Sequence, residues 1–196
     1  MRTKRVIGWI VGFLIIAEVV VVLLSWLLSA TMTTGVRPLL SSEGVRWFFS
    51  SYVAIIGAPW LVWLLLLSLA GGCMYQSGIF RHGSKPLGKL QGLGYVVAVI
   101  MLVIYVACIL LLTVAPHAVL LSATGHLSAS PFSRALVPVI AMGLIVCSLG
   151  YGIVTRAFTS IADVCASMTD GVRKAAPLFL IYVLMAQLVE SLLFVF

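Results

Sequence analysis

Five separate stretches of this chain are long and apolar enough to cross a lipid bilayer, and this feature constrains its fold more than any other. A membrane-spanning helix needs about 20 mostly apolar residues to cross about 30 Å of hydrocarbon. Each stretch is close to that length, and together they take up most of the 196 residues. We therefore expect an all-α integral membrane protein with one transmembrane domain over residues 1–196. The predicted spans are residues 6–28, 53–74, 93–115, 135–154 and 176–196.

The composition excludes an ordinary soluble domain. Hydrophobic residues make up 63% of the chain and charged residues only 9%, whereas about 25% of the residues in a soluble domain are charged. The net charge of +7 could suggest a nucleic-acid partner. The basic residues flank the predicted spans, however, so they are better interpreted as topology signals. We expect the lipid bilayer, and no nucleic acid, as the surroundings of this chain.

The positions of lysine and arginine predict the orientation of the chain. Nine of the twelve fall on one side of the predicted membrane, and three fall on the other. The nine are Arg2, Lys4, Arg5, Arg81, Lys85, Lys89, Arg156, Arg173 and Lys174, and the three are Arg37, Arg46 and Arg134. Because positive residues mark the cytoplasmic face, we expect a bacterial inner-membrane protein with a cytoplasmic amino terminus and a periplasmic carboxyl terminus.

Two connecting segments have the pattern of short amphipathic helices at the membrane surface. The first is Ser41 to Tyr52, where Ser41 or Ser42 can cap the helix start. The second runs from Arg156 to Asp170 and is predicted to end near Gly171. Both helices could simply run along the interface, or they could serve gating or partner binding.

Glu18 is the most unusual residue of the spans. It lies twelve residues past Val6, and therefore about 18 Å along the helix, near the bilayer midplane. A carboxylate at that depth costs several kcal/mol unless it is paired, hydrated or protonated. Three interpretations stay open: a structural hydrogen bond to another helix, ion or proton handling, and contact with a partner protein.

Four further residues of the spans are site candidates. Gln187 and Glu190 lie on one face of the last span and could form a polar seam with intramembrane contacts. Glu190 lies close enough to the outer edge to reach the headgroups instead. Trp60 and Trp63 lie in the outer part of the second span, where they are either packing residues or the wall of a pocket.

The sequence contains no pattern typical of an enzyme, a metal site or a cofactor site. The four cysteines are widely separated and form neither a CxxC motif nor a Cys/His spacing suited to a metal. The inner loop has no GxxxxGK[ST] phosphate-binding pattern. We therefore expect a protein that is not an enzyme and that uses no metal or cofactor.

Two small-residue steps suggest close packing of helices. These are Gly8 to Gly12 and Ser148 to Gly152, and small residues at this spacing let helix backbones approach in lipid. The steps are compatible with a homo-oligomer.

Three segments resemble the AbgT family, the p-aminobenzoyl-glutamate transporters. Leu39 to Phe48 (LLSSEGVRWF) is close to the family element LLSxEGxRW. Ala58-Pro59 through Gln76-Ser-Gly-Ile79 is similar to the family's FAPLG…GVAExSGL span, with Tyr75 in the place of its acidic residue. Ser130 through Gln187 contains similar SLGYGI, DV and AQ elements. The resemblance implies an ion-coupled secondary transporter fold and a homodimer.

The departures from that family are as informative as the matches. Family members are about twice as long or longer, and they carry additional spans and hairpins that bind the substrate. Discontinuous helices of this kind form the substrate sites of secondary transporters. The resemblance therefore implies a shortened member that keeps the scaffold part. We expect either a membrane-transport component without the substrate-binding hairpins or, as the alternative, a non-transporting scaffold or accessory subunit that binds another membrane protein.

Overall fold

The structure is a computed structural model, and it describes residues 2–31, 36–57, 59–80, 88–114 and 131–196. These residues form six α-helices and no strand. The helices are α1 (Arg2–Ala30), α2 (Ser42–Ile56), α3 (Pro59–Ser77), α4 (Lys89–Val114), α5 (Pro131–Val154) and α6 (Ile161–Val195). Five helical runs, with α2 and α3 counted together, are long and apolar enough to cross a membrane. The predicted all-α membrane fold is therefore confirmed.

Some residues that entered the sequence-based predictions lie outside this description. Arg81 and Lys85 belong to the predicted cytoplasmic set but fall outside the described residues, and so do the side chains of Arg2, Lys4 and Arg134. Ala58 and Ser130, which start two of the resembling segments, fall outside them too. The orientation of the chain therefore stays a prediction.

The chain separates into two compact units. Unit 1 comprises residues 1–62 and 175–196, and unit 2 comprises residues 63–174. Unit 1 thus contains α1, α2 and the later part of α6, whereas unit 2 contains most of α3, all of α4 and α5, and the earlier part of α6. The single transmembrane domain over residues 1–196 stays a prediction.

In unit 1 the carboxyl end of α6 packs against α2 and against the segment that precedes it. The rings of Trp47 and Phe194 stack with their centroids 4.4 Å apart. The backbone N–H of Arg37 donates to the carbonyl of Val195 at 3.1 Å. These contacts use one of the carbonyls that the end of a helix leaves without a partner inside the helix.

Helix α2 begins where the sequence predicts and ends later than expected. Ser41 is the cap, because its hydroxyl accepts from the N–H of Gly44 at 3.1 Å, and Glu43 occupies the first turn. The helix then continues to Ile56, and α3 starts only at Pro59. The predicted second span over residues 53–74 is therefore divided between two helices, and Pro59 occupies the first helical position of α3, which suits proline.

In unit 2, α4 packs along α5 through two tyrosines of α4. The hydroxyl of Tyr105 donates to the carbonyl of Val139 at 2.7 Å. The ring of Tyr95 meets the ring of Tyr151 edge to face, with centroids 5.0 Å apart. Gly143 lies directly under the Tyr105 ring, where an added Cβ would come within 2.9 Å of the ring. The small residue thus makes room for the aromatic contact.

Also in unit 2, α3 contacts the earlier part of α6 through two facing glycines. A Cβ added to Gly72 would lie 2.8 Å from the Cα of Gly171, and one added to Gly171 would lie 2.7 Å from the Cα of Gly72. The prediction that a helix ends near Gly171 is wrong, since α6 runs from Ile161 to Val195 without interruption. The glycine serves this close approach instead of terminating the helix.

The predicted small-residue steps do not make this contact. Gly8 and Gly12 have no atom within 4 Å of an added Cβ, and Gly152 is covered by the ring of Phe158 from the following turn. Phe158 is therefore part of this turn and not of an amphipathic helix that starts at Arg156, as the sequence had predicted. Arg156 adopts a left-handed conformation with φ of 58°, which interrupts a right-handed helix at that residue.

Helix α6 starts at Ile161, five residues after the turn residue Arg156, and a capping box between Ser160 and Asp163 opens it. The carboxylate of Asp163 accepts from the backbone N–H groups of Thr159 and Ser160, both at 2.9 Å, and Ser160 Oγ accepts from the N–H of Asp163 at 3.3 Å. This reciprocal arrangement satisfies N–H groups that the first turn of a helix leaves unpaired. It explains why α6 starts at Ile161.

Candidate functional site

Unit 1 contains a cluster of three polar side chains, which we call the Glu18 cluster: the half-buried Glu18 on α1, and the buried Gln187 and Ser191 on α6. The hydroxyl of Ser191 donates to Glu18 Oε1 at 2.6 Å. The amide Nε2 of Gln187 donates to the oxygen of Ser191 at 3.1 Å. Ser191 has no exposed surface, and Gln187 is only 8% exposed. The three side chains therefore form one chain of hydrogen bonds at the contact between α1 and α6.

Helix geometry explains why these residues meet. Gln187 and Ser191 are four residues apart, and residues at this spacing are neighbours on one face of a helix. This face of α6 is turned toward α1, so the carboxyl group of Glu18 reaches Ser191. A hydrogen bond between helices is a recognised source of association in lipid.

Two oxygen atoms of the Glu18 cluster are buried and have no hydrogen-bond partner among the described residues. These are Glu18 Oε2 and Gln187 Oε1, one at each end of the hydrogen-bond chain. A buried acceptor that lacks a donor costs about 1–3 kcal/mol. No basic side chain among the described residues lies within ion-pair distance of Glu18. The cluster therefore presents acceptors and no positive charge to offset the carboxyl group.

The structure brings together two of the three predicted intramembrane polar residues. Glu18 and Gln187 belong to the cluster, and the serine between them was not predicted. Glu190 is partly exposed and has no hydrogen-bond partner among the described residues. A single serine in an apolar helix does not by itself predict a polar site. Its spacing of four residues from Gln187 could, however, have predicted that the two side chains lie on one face of the helix.

Neither predicted pocket-wall residue lines the groove described next. Trp60 is largely exposed and Trp63 is half-buried. A lipid-facing position suits the side chain of Trp60, since the exposed surface of a membrane-spanning helix contacts acyl chains. The role of the two tryptophans as a pocket wall stays a prediction.

Unit 2 contains an apolar groove of about 660 Å³ between α4, α5 and the turn that follows α3. Its polar lining consists mainly of the hydroxyls of Tyr95, Tyr105 and Ser148. Each hydroxyl already donates to a backbone carbonyl, at 2.5, 2.7 and 2.6 Å respectively. No basic residue belongs to the described lining. The groove therefore suits an acyl chain better than a molecule that carries carboxylates.

Five helical runs long and apolar enough to span a membrane, a carboxyl group between two of them and a largely exposed apolar surface are the features of a polytopic membrane protein. The sequence profile of the AbgT putative transporter family matches residues 79–194. This match covers more than half of the chain, so the chain belongs to that family, as its sequence motifs indicated. No curated protein and no solved structure matches the chain significantly.

The matched range divides the Glu18 cluster. Gln187 and Ser191 lie within residues 79–194, whereas Glu18 precedes them. The third resembling segment, from Ser130 to Gln187, is also inside the range. The first resembling segment and nearly all of the second precede residue 79, so their likeness to family elements rests on the motifs alone.

Proposed function

We propose that this chain is a membrane-transport component of the AbgT family that provides the scaffold and lacks the substrate-binding hairpins. The family match over residues 79–194 is the observation that carries the proposal. Helix α4 supports the second part, because it runs from Lys89 to Val114 without interruption at the place where longer members carry further spans and a hairpin. A secondary transporter binds substrate at broken helices, so a segment outside the described residues or a second polypeptide would supply that part.

The chemistry of the unit 2 groove also supports a scaffold that does not bind the substrate. A substrate with a glutamate moiety carries carboxylates, which are bound by guanidinium groups, ammonium groups or free backbone N–H groups. The described lining of the groove is apolar and its hydroxyls already donate elsewhere. Recognition of such a substrate by the described lining of this groove is therefore not expected.

A flux assay in reconstituted vesicles tests the transport role. The purified chain, with and without the membrane protein that co-purifies with it in mild detergent, is assayed with labelled p-aminobenzoyl-glutamate and with a pH-sensitive dye. We expect flux only with the partner, and we expect Glu18→Gln to change it while Glu190→Gln, the matched carboxylate of α6, does not. Identical flux for wild type and Glu18→Gln would remove Glu18 from the transport path.

The alternative function is a non-transporting scaffold or accessory subunit. The exposed face of α1 around Gly8 and Gly12 favours it, because Trp9 and Phe13 on this face are 80% and 70% exposed. Such a face suits either a second copy of this chain or another membrane protein. Stable recovery of a heteromeric complex that has no flux would favour this function over transport. Recovery of an isolated homodimer would count against it.

The location follows from the distribution of positive charge. We expect a bacterial inner membrane, and the nine of twelve basic residues that flank one side of the spans support an amino terminus in the cytoplasm. Labelling of single cysteines introduced at Lys89 and at Arg37 by an impermeant reagent checks this. In spheroplasts, whose outer membrane is removed and whose inner membrane is intact, we expect labelling at position 37 and none at position 89.

A further inference from the structure

We propose that the Glu18 cluster is a proton-binding site, in which one proton on Glu18 Oε2 is donated to Gln187 Oε1 and closes a ring of hydrogen bonds. The ring would comprise the carboxyl group, the Ser191 hydroxyl and the Gln187 amide. The proposal goes beyond the proposed function, because it concerns the state of this cluster whether or not the chain transports anything.

The proposal starts from the donors and acceptors of the cluster. The single hydroxyl proton of Ser191 is used toward Glu18 Oε1, and an N–H of Gln187 is used toward Ser191. The oxygens without a donor are Glu18 Oε2 and Gln187 Oε1. A proton on the first oxygen turns an unpaired acceptor into a donor, and its hydrogen bond to the second satisfies both atoms at once.

The described surroundings of Glu18 offer no positive charge to compensate a carboxylate. A carboxylate near the bilayer midplane costs several kcal/mol unless it is compensated, and no described cation compensates it. The other charged residues described in unit 1 form no ion pair with Glu18; they are Arg5, Arg37, Glu43, Arg46 and Glu190. A single bound proton removes the charge without requiring any of them to move.

The number of unused oxygen atoms in the cluster favours a proton over a metal ion as the bound species. Ca²⁺ takes 6–8 oxygen ligands and Mg²⁺ requires an octahedral set, whereas the cluster offers two unused oxygens. No group of three histidine, cysteine, aspartate or glutamate side chains that could hold a metal ion occurs among the described residues. A single hydrogen bond, in contrast, needs only the two oxygens that are present.

Infrared spectroscopy of the purified full-length protein in lipid tests the proposal directly. The chain has only five acidic residues, so a C=O band from a protonated carboxylic acid can be assigned by substitution. At neutral pH we expect this band in the wild type, its loss in Glu18→Gln and its retention in Glu190→Gln. The glutamine variant should fold, because its amide can donate to Gln187 and accept from Ser191 as the protonated acid does.

A second variant tests the ring rather than the proton alone. Gln187→Leu removes the proposed acceptor, so the band should persist and move to the higher frequency of a carboxylic acid without that hydrogen bond. An unchanged band frequency in this variant would overturn the ring. Absence of the band in folded wild type, its loss in Glu190→Gln, or its appearance only after sodium is removed would each overturn the proton site. None of these outcomes depends on flux, so the two proposals can fail separately.

Discussion

Helix α6 contacts a neighbour in each unit, and the two contacts are of different kinds. Its earlier part meets α3 through Gly72 and Gly171, whose backbones approach so closely that neither position has room for a Cβ. Its later part meets α1 through the Glu18 cluster, in which Ser191 donates across to Glu18 and Gln187 donates to Ser191 within α6. One contact depends on the absence of side chains and the other on their polarity.

The difference indicates how each contact should respond to mutation. Hydrogen bonds between membrane helices contribute about 0.6 kcal/mol on average and up to about 1.7 kcal/mol. Forcing an extra carbon into a packed contact costs about 1–3 kcal/mol. The glycine contact should therefore be the more sensitive of the two, although it contains no strong polar interaction.

The largest effect is expected from Gly72→Ala. The new methyl group would overlap the carbonyl oxygen of Ser167 and the backbone of Gly171, so we expect a loss of about 1–3 kcal/mol in the free energy of unfolding. Equilibrium unfolding in mixed detergent and SDS micelles measures it. The neighbouring Gly71→Ala is the matched control, since its Cβ would meet nothing within 4 Å. Equal losses for the two variants would contradict the glycine contact.

A smaller loss is expected from Ser191→Ala, which removes both hydrogen bonds of the Glu18 cluster. We expect a decrease of about 1 kcal/mol in the free energy of unfolding. A double-mutant cycle with Gln187→Leu should show coupling, because the two residues share one hydrogen bond. Strictly additive losses would mean that the cluster does not act as a unit.

The smallest effect is expected from Ser167→Ala, on the glycine side of the comparison. Ser167 is as fully buried as Ser191 and lies on the same helix. Its hydroxyl donates to the Val164 carbonyl of its own helix at 2.7 Å, and its partner on α3 is the Cys73 thiol at 3.4 Å. Because a thiol is a weak hydrogen-bonding group, we expect a loss below about 0.5 kcal/mol. A loss as large as that of Ser191→Ala would erase the distinction between the two contacts.

Hydropathy was sufficient to predict five helical runs able to cross a membrane, since a membrane helix must satisfy its backbone within one apolar segment. Pairings between distant segments were not predictable in the same way. The steps at Gly8–Gly12 and Ser148–Gly152 fit the local motif, yet the close approach joins Gly72 to Gly171, which no local spacing connects. Gly171 resembled a helix end because glycine commonly terminates helices in soluble proteins.

The candidate site shows the same limit. The depth of Glu18 predicted that its carboxyl group needs compensation, and the structure places that group against Ser191; its functional role stays a prediction. The identity of its partner depended on how α1 and α6 pack, which a single sequence does not specify. Glu190, the more conspicuous residue of the last span, lies outside the cluster, and Ser191 beside it makes the contact.

The length of α6 has a consequence for the bilayer around it. Its 35 residues extend about 52 Å, well beyond the roughly 30 Å of hydrocarbon in a typical membrane. Charge is concentrated in residues 161–174, and Glu190 is the only charged residue after them. Lipids with longer acyl chains would therefore bring Lys174 closer to the hydrocarbon. There the Tyr75 ring, whose centroid lies 3.7 Å from the Lys174 ammonium group, would remain as its cation–π partner.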